Sequence, residues 1–466
     1  MKPLKLFTLL AVALSLLGCK HNKEEGDTVK NVIILIPDGT SVELVTLARW
    51  YNDNQPLAID AHICGLISTH NADGKFPDSA PAATAYATGV RTIAPYIGLN
   101  SEAEPRASVL ELAKRKGMAT GIVATCEFPH ATPAGFVCHF NARESNNYKN
   151  LAKQFIHNSP NLVFAGGESY LAQHDYYALL EANKIKLVTH LDAFEKQNHL
   201  SDTCLWALFP DWKNSTKCLS YECDRNKATA PSLSEMTDKA IKLLSKNKNG
   251  FFLMVEGSQI DWAAHNNDTY AAVTDFLEFD KAVSVALKFA KENKNTVVII
   301  CPDHGTGGIS IGNQRTGTEF IAKNPTKYDN INIKERIIEP LQKVKWSSRK
   351  LAEMMLKNPA YISEDSIKKY YFSSADKELV KSLKNISKIK TDKNLADTIQ
   401  FLLSNKLNHQ IFMGWTTTGH TAEDVFLAIY APANVRKISG AVNNYEIGKY
   451  IAEILKLEDF ETVTFE

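Results

Sequence analysis

Residues 31–39 read NVIILIPDG, and this stretch decides the fold. Its apolar run from Val32 to Ile36 does not alternate with polar residues, which is typical of a strand covered on both faces of a parallel sheet. Four further short runs have the same character, and they lie at residues 121–124, 251–255, 296–301 and 425–431. Together these runs predict a largely parallel central sheet.

Helical patterns lie between the predicted strands. Residues 108–116 are followed by Gly117, and glycine is common just after a helix. Ser232 with Glu235 has the spacing of a capping box. Residues 269–292 carry apolar side chains every three or four positions. This alternation of strands and helices predicts an α/β layered sandwich, in which helices flank the central sheet.

The predicted α/β core covers residues 31–310 and 412–466. Residues 311–411 break the pattern, because they are rich in lysine, helical in character and without a strong strand. We interpret this stretch as a mostly helical insertion that lies over the active site, and not as a separate catalytic domain.

Three carboxylates follow three of the predicted strands. Asp38 comes two residues after Ile36, Glu256 directly follows Val255, and Asp303 also lies just past a strand. Ligands of open α/β sheets bind beyond the carboxyl ends of the strands. We therefore expect these carboxylates to converge in one crevice.

Two further motifs supply reactive groups. The segment FPDSA at residues 76–80 places Ser79 before a small-residue helical pattern, whose first N–H groups can bind an anion. The segment EGSQID at residues 256–261 is followed by His265, so Asp261 and His265 share one face if that turn is helical. These motifs predict a nucleophile beside bound metal ions.

The order of the motifs is more specific than any one of them. It continues with HATP at 130–133, Arg143, DH at 303–304 and His420, and ATAY at 83–86 follows the serine. This ordered set resembles the alkaline phosphatase family over nearly the whole mature chain. The resemblance implies a hydrolase that converts phosphate monoesters into an alcohol and inorganic phosphate.

The resemblance also implies a role for each residue. Ser79 would be the nucleophile that forms a phosphoserine, and Arg143 would hold the substrate phosphate. The implied metal sites are a first zinc site with Asp261, His265 and His420, a second zinc site with Asp38, Asp303 and His304, and a third site with Asp38, Thr132 and Glu256. The third site would hold magnesium, with zinc as the alternative.

Two positions depart from the best-studied bacterial members of this family. Those members carry Asp and Lys where this chain has His130 and Trp262. Both side chains would surround the third site, so the identity of its metal stays open. His130 is also a candidate for contact with phosphate or with metal through water.

The residue types support the same chemistry without the resemblance. Mixed imidazole and carboxylate ligands suit zinc, whereas oxygen ligands that include a hydroxyl suit magnesium. Two metal ions can stabilise the attacking and the leaving oxygen of an in-line displacement. Two alternatives stay open: a phosphodiesterase or sulfatase of the same superfamily, and a non-catalytic metal-binding lipoprotein.

Charge and the N-terminus suggest partners and location. The 466 residues include 53 basic and 52 acidic side chains, and this balance gives no reason to expect a nucleic-acid partner. Residues 1–18 are typical of a signal peptide, and LLGC at 16–19 resembles a lipobox. We expect a lipid on Cys19, a tether over residues 19–30, and a bacterial lipoprotein anchored to the membrane in the periplasm or at the cell surface. The family resemblance further implies a homodimer.

Cysteines allow one more expectation. Cys204, Cys218 and Cys223 cluster in a loop-like region, where we expect one local disulfide, with a metal site as the alternative. Their pairing cannot be read from the spacing. Four other cysteines sit among apolar neighbours and are interpreted as core thiols: Cys64, Cys126, Cys138 and Cys301.

Overall fold

The computed structural model describes residues 29–143, 148–200, 203–209, 218–316, 331–371, 377–387 and 394–460. The predicted signal peptide, Cys19 and the tether up to residue 28 lie outside these ranges. Among the helices that are described, none has the length and apolar character needed to span a membrane.

The described strands form one large sheet and two short ribbons. They are β1 (Asn31–Ile36), β2 (Ile63–Ser68), β3 (Ala119–Glu127), β4 (Leu162–Gly166), β5 (Ile185–Val188), β6 (Cys204–Leu208), β7 (Phe251–Glu256), β8 (Thr296–Ile300), β9 (Gly305–Thr306), β10 (Ile309–Ile311), β11 (Met413–Trp415), β12 (His420–Thr421), β13 (Val425–Tyr430) and β14 (Gly440–Asn443). The large sheet has the order β14-β2-β13-β8-β1-β7-β3-β4-β6-β5. Within it, only β13 runs antiparallel to its neighbours, β2 and β8.

The helices cover both faces of this sheet. They are α1 (Val42–Tyr51), α2 (Ser79–Thr88), α3 (Val109–Arg115), α4 (Ala131–Gly135), α5 (Lys149–Asn158), α6 (Glu168–Gln173), α7 (Tyr177–Ala182), α8 (Leu191–Glu195), α9 (Leu233–Leu244), α10 (Gln259–His265), α11 (Thr269–Glu292), α12 (Glu339–Gln342), α13 (Ser348–Lys357), α14 (Glu364–Tyr370), α15 (Lys377–Ile386), α16 (Leu395–Gln410) and α17 (Asn444–Leu455). The predicted α/β layered sandwich with a largely parallel sheet is confirmed.

Burial on both faces explains why β1 has no polar alternation. Ile33 and Leu35 point into one apolar cluster, together with side chains of α1, α9 and α11. Val32 and Ile34 point into the opposite cluster, together with side chains of α2, α3, α5 and α17. Every residue of the strand is buried, so each position favours an apolar side chain.

Two helices on opposite faces of the sheet, α9 and α3, begin with a capping box. The Ser232 hydroxyl accepts a hydrogen bond from the N–H of Glu235, whose carboxylate in turn accepts one from the N–H of Ser232. Ser108 and Glu111 repeat this arrangement at α3. The predicted capping box at Ser232 is confirmed, and it satisfies N–H groups that the first turn of a helix leaves free.

The stretch between β10 and β11 is mostly helical in its described parts, and these two strands pair with each other at its base. Its helices share an apolar cluster with the core. Two consecutive serines tie it down: Ser347 donates from its N–H and hydroxyl to Asp224, and Ser348 does the same to Asp268. These bonds anchor the start of α13 to the end of the core that carries α10 and α11.

The Asp224 contact gives a prediction about pH. Burial raises the pKa of Asp224 to about 6, although the bonds from Ser347 lower it. The folded protein therefore binds this proton more tightly than the unfolded chain, so the stabilisation is complete below the ordinary value of about 3.9 and is lost as pH rises through about 6. We expect the free energy of unfolding of the native protein, relative to Asp224→Asn, to fall by about 1–3 kcal/mol between pH 4 and 7. Partial contact of Asp224 with solvent limits the size of this change.

Denaturant unfolding of both proteins at several pH values measures this difference. If the free energy of unfolding of the native protein, relative to Asp224→Asn, instead rises between pH 4 and 7, the prediction is contradicted.

The predicted local disulfide is wrong. None of Cys204, Cys218 and Cys223 forms a disulfide with another cysteine of the described residues. Cys204 packs against the apolar cluster on one face of the sheet, whereas Cys223 packs against the cluster on the other face. The sheet therefore separates two thiols that lie close together in sequence.

Candidate active site

The three strand-end carboxylates converge as expected. The β1 and β7 strands are in register with Ile36 opposite Glu256, which places Asp38 and Glu256 at the same edge of the sheet. Asp303 reaches this edge from β8, and its Oδ1 accepts a hydrogen bond of 3.1 Å from the N–H of Gly39. All three carboxylates have no exposed surface.

Gly39 allows the loop after β1 to approach α10. Its φ is +66°, and a Cβ at this position would lie 2.8 Å from the Cα of Asp261. A side chain is excluded both by the left-handed backbone and by this contact. The glycine therefore sets the close spacing between Asp38 and Asp261.

Ser79 is the first residue of α2, and Asp78 precedes it in an extended conformation. The Ser79 hydroxyl lies 3.2 Å from Nε2 of His304 and is only 2% exposed. At this position the free N–H groups and the dipole of a ten-residue helix favour negative charge beside the hydroxyl.

The first predicted metal group is formed by Asp261, His265 and His420, which offer ligand atoms within 4.8 Å of one another. Nε2 of His265 lies 3.2 Å from Oδ2 of Asp261 and 3.2 Å from Nε2 of His420. The other ring nitrogens face backbone carbonyls, with Nδ1 of His420 2.9 Å from the oxygen of Pro77. These carbonyls orient both rings so that each presents Nε2 to the centre.

Electrostatics in this group follow from burial and pairing. Burial lowers the pKa of His265, but the hydrogen bond and charge of Asp261 outweigh it and raise the pKa to about 9. Burial followed by the charge of His304 lowers the pKa of His420 to about 4. Two imidazoles whose Nε2 atoms face each other at 3.2 Å cannot both be protonated without repulsion, so the arrangement suits a shared cation.

The second predicted group contains Asp38, Asp303 and His304. Nε2 of His304 lies 3.7 Å from Oδ1 of Asp38 and 3.2 Å from Oδ2 of Asp303. Asp38, Asp261 and His304 also offer ligand atoms within 4.8 Å of one another. Asp261 therefore lies between the first and second groups.

The third predicted group contains oxygen atoms that have no hydrogen-bond partner. They are both carboxylate oxygens of Asp38, Oγ1 of Thr132 and Oε1 of Glu256. Thr132 lies in α4, directly after β3, and is fully buried like the two carboxylates. Buried polar atoms without a hydrogen bond destabilise the folded protein. These oxygen atoms therefore fit a site where they would bind a cation.

The pKa shifts of the carboxylates agree with such a fit. Burial, followed by the charges of Asp303 and Asp261, raises the pKa of Asp38 well above its usual range. Burial also raises the pKa of Glu256 to about 7. Clustered carboxylates without a counter-charge hold protons, and divalent ions would replace those protons.

Arg143 connects the serine motif to His130. Its Nη1 donates a 2.5 Å hydrogen bond to Asp78, and its Nη2 donates to Nε2 of His130 at 3.1 Å. Burial followed by the charge of Arg143 lowers the pKa of His130 to about 3, so its imidazole is neutral. Trp262 packs edge-on against His130 with ring centroids 5.5 Å apart.

Some residues around the site were not among the sequence candidates. Thr306 donates a hydrogen bond of 2.6 Å to Oδ1 of Asp261, and Cys126 contacts Glu256. Thr306 lies two residues after His304 and could have been found as a polar position on the same strand end. Cys126 carried no such signal, because its sequence neighbours resemble those of a core thiol.

The fold and the site together define an α/β hydrolytic enzyme with a buried serine hydroxyl among clustered side chains that could hold metal ions. The family model of alkaline phosphatase matches residues 29–457. The chain therefore belongs to the alkaline phosphatase family, and it acts as a phosphatase.

Individual relatives agree with this assignment. The chain is 33% identical to alkaline phosphatase 3 of Bacillus subtilis, over 94% of this chain and 91% of the relative. It is 29% identical to the repressible alkaline phosphatase of Saccharomyces cerevisiae, over 92% of this chain and 81% of the relative. The crystal structure of a cold-active alkaline phosphatase from Shewanella superposes with a TM-score of 0.78 and 25% identity, covering 91% of this chain and 99% of that chain.

Proposed function

We propose that the protein hydrolyses phosphate monoesters through a phosphoserine on Ser79. The observation that carries this proposal is the position of the hydroxyl, which lies at the start of α2 and 3.2 Å from His304. The same crevice holds the clustered ligand groups and Arg143. A nucleophile at the first turn of a helix, surrounded by cation ligands, suits attack on a dianionic phosphoryl group.

The residues that hold the ions follow from the groups described above. Asp261, His265 and His420 would hold one zinc ion, and Asp38, Asp303 and His304 would hold a second. Asp38, Thr132 and Glu256 would hold a third ion, magnesium or zinc. When bound, such ions lower the pKa of a coordinated hydroxyl and neutralise charge on the transferred group.

The residues of the chain perform the remaining steps. Arg143 would grip two terminal phosphate oxygens, and Asp78 orients its guanidinium. The Ser79 oxygen would bond to phosphorus as the bond to the substrate alcohol breaks. Water would then cleave the phosphoserine and release inorganic phosphate.

A monoester fits this site better than a diester or a sulfate ester. Arg143 can contact two free terminal oxygens of a monoester dianion, and a diester has fewer of them. A sulfate monoester also carries one negative charge less, so it compensates the positive charge of bound ions and Arg143 less completely.

Initial rates on p-nitrophenyl phosphate, bis-p-nitrophenyl phosphate and p-nitrophenyl sulfate test the proposal. We expect the monoester rate to exceed the others by more than about 100-fold, since a few kcal/mol of lost transition-state stabilisation corresponds to this factor. Chelation should abolish all turnover, and zinc with magnesium should restore it. Faster turnover of the diester or the sulfate would identify the corresponding alternative activity instead.

The N-terminal sequence supports export as a lipoprotein, with Cys19 as the lipidated residue and the membrane as the place of attachment. The lipid, the periplasmic or surface location and the homodimer are parts of this proposal that rest on the sequence and on the family.

A further inference from the structure

Cys126 lies within the group of atoms around the third metal position. Cys126, His130 and Glu256 each offer one ligand atom, and these three atoms lie within 4.8 Å of one another. Sγ of Cys126 donates a hydrogen bond of 3.4 Å to Oε2 of Glu256. All three residues are buried, and Cys126 and Glu256 have no exposed surface.

Two polar atoms of this group make no hydrogen bond. They are Nδ1 of His130 and Oε1 of Glu256. Buried polar groups are nearly always satisfied, by protein, by water or by a bound ion. These residues bring together a thiol, an imidazole and a carboxylate in the interior, and two of their polar atoms lack a hydrogen-bond partner. These are the donor types of a transition-metal site.

We propose that Cys126, His130 and Glu256 form a thiolate-containing metal site that binds zinc or a similar transition-metal ion in preference to magnesium. The inference rests on the proposed function only in using Glu256 as a ligand of the third ion. The oxygen atoms of Asp38 and Thr132 alone do not distinguish magnesium from zinc. The thiolate favours zinc, because it is a poor ligand for magnesium and a good one for zinc.

The distance between the thiol sulfur and the carboxylate oxygen fits shared ligation of a zinc ion. Zinc binds thiolate sulfur at about 2.3 Å and carboxylate oxygen at about 2.0–2.2 Å, so two such ligands are about 3.6 Å apart. The sulfur and oxygen atoms of Cys126 and Glu256 are already 3.4 Å apart. The ion would replace the thiol proton of this hydrogen bond, and that proton would leave to solvent.

Ligation by His130 has a consequence for Arg143. A neutral imidazole has one lone pair, and in this structure Nε2 of His130 uses it to accept the hydrogen bond from Arg143. An ion bound to either ring nitrogen would take that lone pair, so the bond from Arg143 would break. An ion bound at this site would thus free Nη2 of Arg143 to contact a substrate phosphate.

Cobalt substitution tests the proposal in the full protein. The zinc ions are exchanged for Co²⁺, and the near-ultraviolet absorption that a cobalt–thiolate bond produces is recorded for the native protein, Cys126→Ser and Cys138→Ser. Cys138 is a matched control, because it is also buried but donates to the backbone oxygen of Leu151. We expect the band in the native protein and in Cys138→Ser and its loss in Cys126→Ser.

Metal analysis gives a second readout that does not depend on activity. After dialysis against zinc with excess magnesium, we expect three zinc ions per native chain and two in Cys126→Ser, whose third position should lose zinc affinity by more than about 10-fold. Two retained zinc ions would show that the variant is folded.

Two outcomes would overturn the inference. One is a native protein without a thiolate band that binds two zinc ions and one magnesium ion, and the other is a band that persists in Cys126→Ser. Either result could occur with full monoester turnover. A failure of the proposed function would instead appear as absent turnover, whatever the spectrum shows.

Discussion

Replacement of Ser79 by alanine should lower the hydrolysis of phosphate monoesters by more than about 10³-fold, since removing the nucleophile of a covalent mechanism can cost up to about 10⁶-fold. The change deletes only the hydroxyl that lies 3.2 Å from His304. No carboxylate or imidazole of the ligand groups is altered, so we expect the variant to keep its full complement of metal ions. Steady-state turnover and elemental analysis measure the two parts of this expectation.

The phosphoserine itself can be sought directly. Acid quenching of the native protein during turnover should give a phosphorylated peptide that contains Ser79, and Ser79→Ala should give none. Ser310→Ala is a suitable control, because Ser310 is exposed on β10 and its hydroxyl donates only to the backbone of Gly312. A phosphorylated residue other than Ser79 would contradict the assignment of the nucleophile.

Local sequence patterns predict the sheet and part of the site. The apolar runs predict the central strands because a buried parallel strand needs apolar side chains on both faces. The ends of those strands predict the convergence of Asp38, Glu256 and Asp303, which Gly39 and the register of β1 with β7 bear out. The spacing of Asp261 and His265 predicts one helical face, and both lie in α10.

Other features depend on distances that the order of residues does not contain. Arg143 and His420 reach the site from segments without a distinctive local pattern, and only the family resemblance indicated them. The expected disulfide was wrong because nothing in the spacing shows that Cys204 and Cys223 face opposite sides of the sheet. Cys126 was interpreted as a core thiol, since its contact with Glu256 is made across two neighbouring strands.

Replacement of Asp38 by asparagine should have effects of opposite sign on activity and on stability. Asp38 is the carboxylate assigned to both the second and the third ion, and neither of its oxygens has a hydrogen-bond partner. Loss of its charge should weaken both positions and lower turnover on the order of 10³-fold, which corresponds to about 4 kcal/mol of transition-state stabilisation. Metal content and kcat/KM measure this loss.

The metal-free protein should become more stable. Burial, followed by the charge of Asp303, raises the pKa of Asp38, so at neutral pH the metal-free folded chain bears the cost of either protonating this carboxyl or burying its charge beside other carboxylates. An asparagine avoids that cost in nearly the same volume. We expect the free energy of unfolding without metal to rise by about 1–3 kcal/mol, and the gain on adding zinc to shrink because fewer ions bind the folded state.

Asp60→Asn separates this effect from the general loss of a carboxylate. Asp60 belongs to none of the ligand groups, and its hydrogen bonds from Arg49 and from the N–H of Leu57 lower its pKa, so its replacement should lower stability and leave turnover intact. If the Asp38 carboxylate serves cation binding and destabilises the metal-free protein, the two variants therefore change the free energy of unfolding in opposite directions. Denaturant unfolding with and without zinc decides the matter, and a metal-free Asp38→Asn protein that is less stable than the native one would show that Asp38 has a structural role independent of metal.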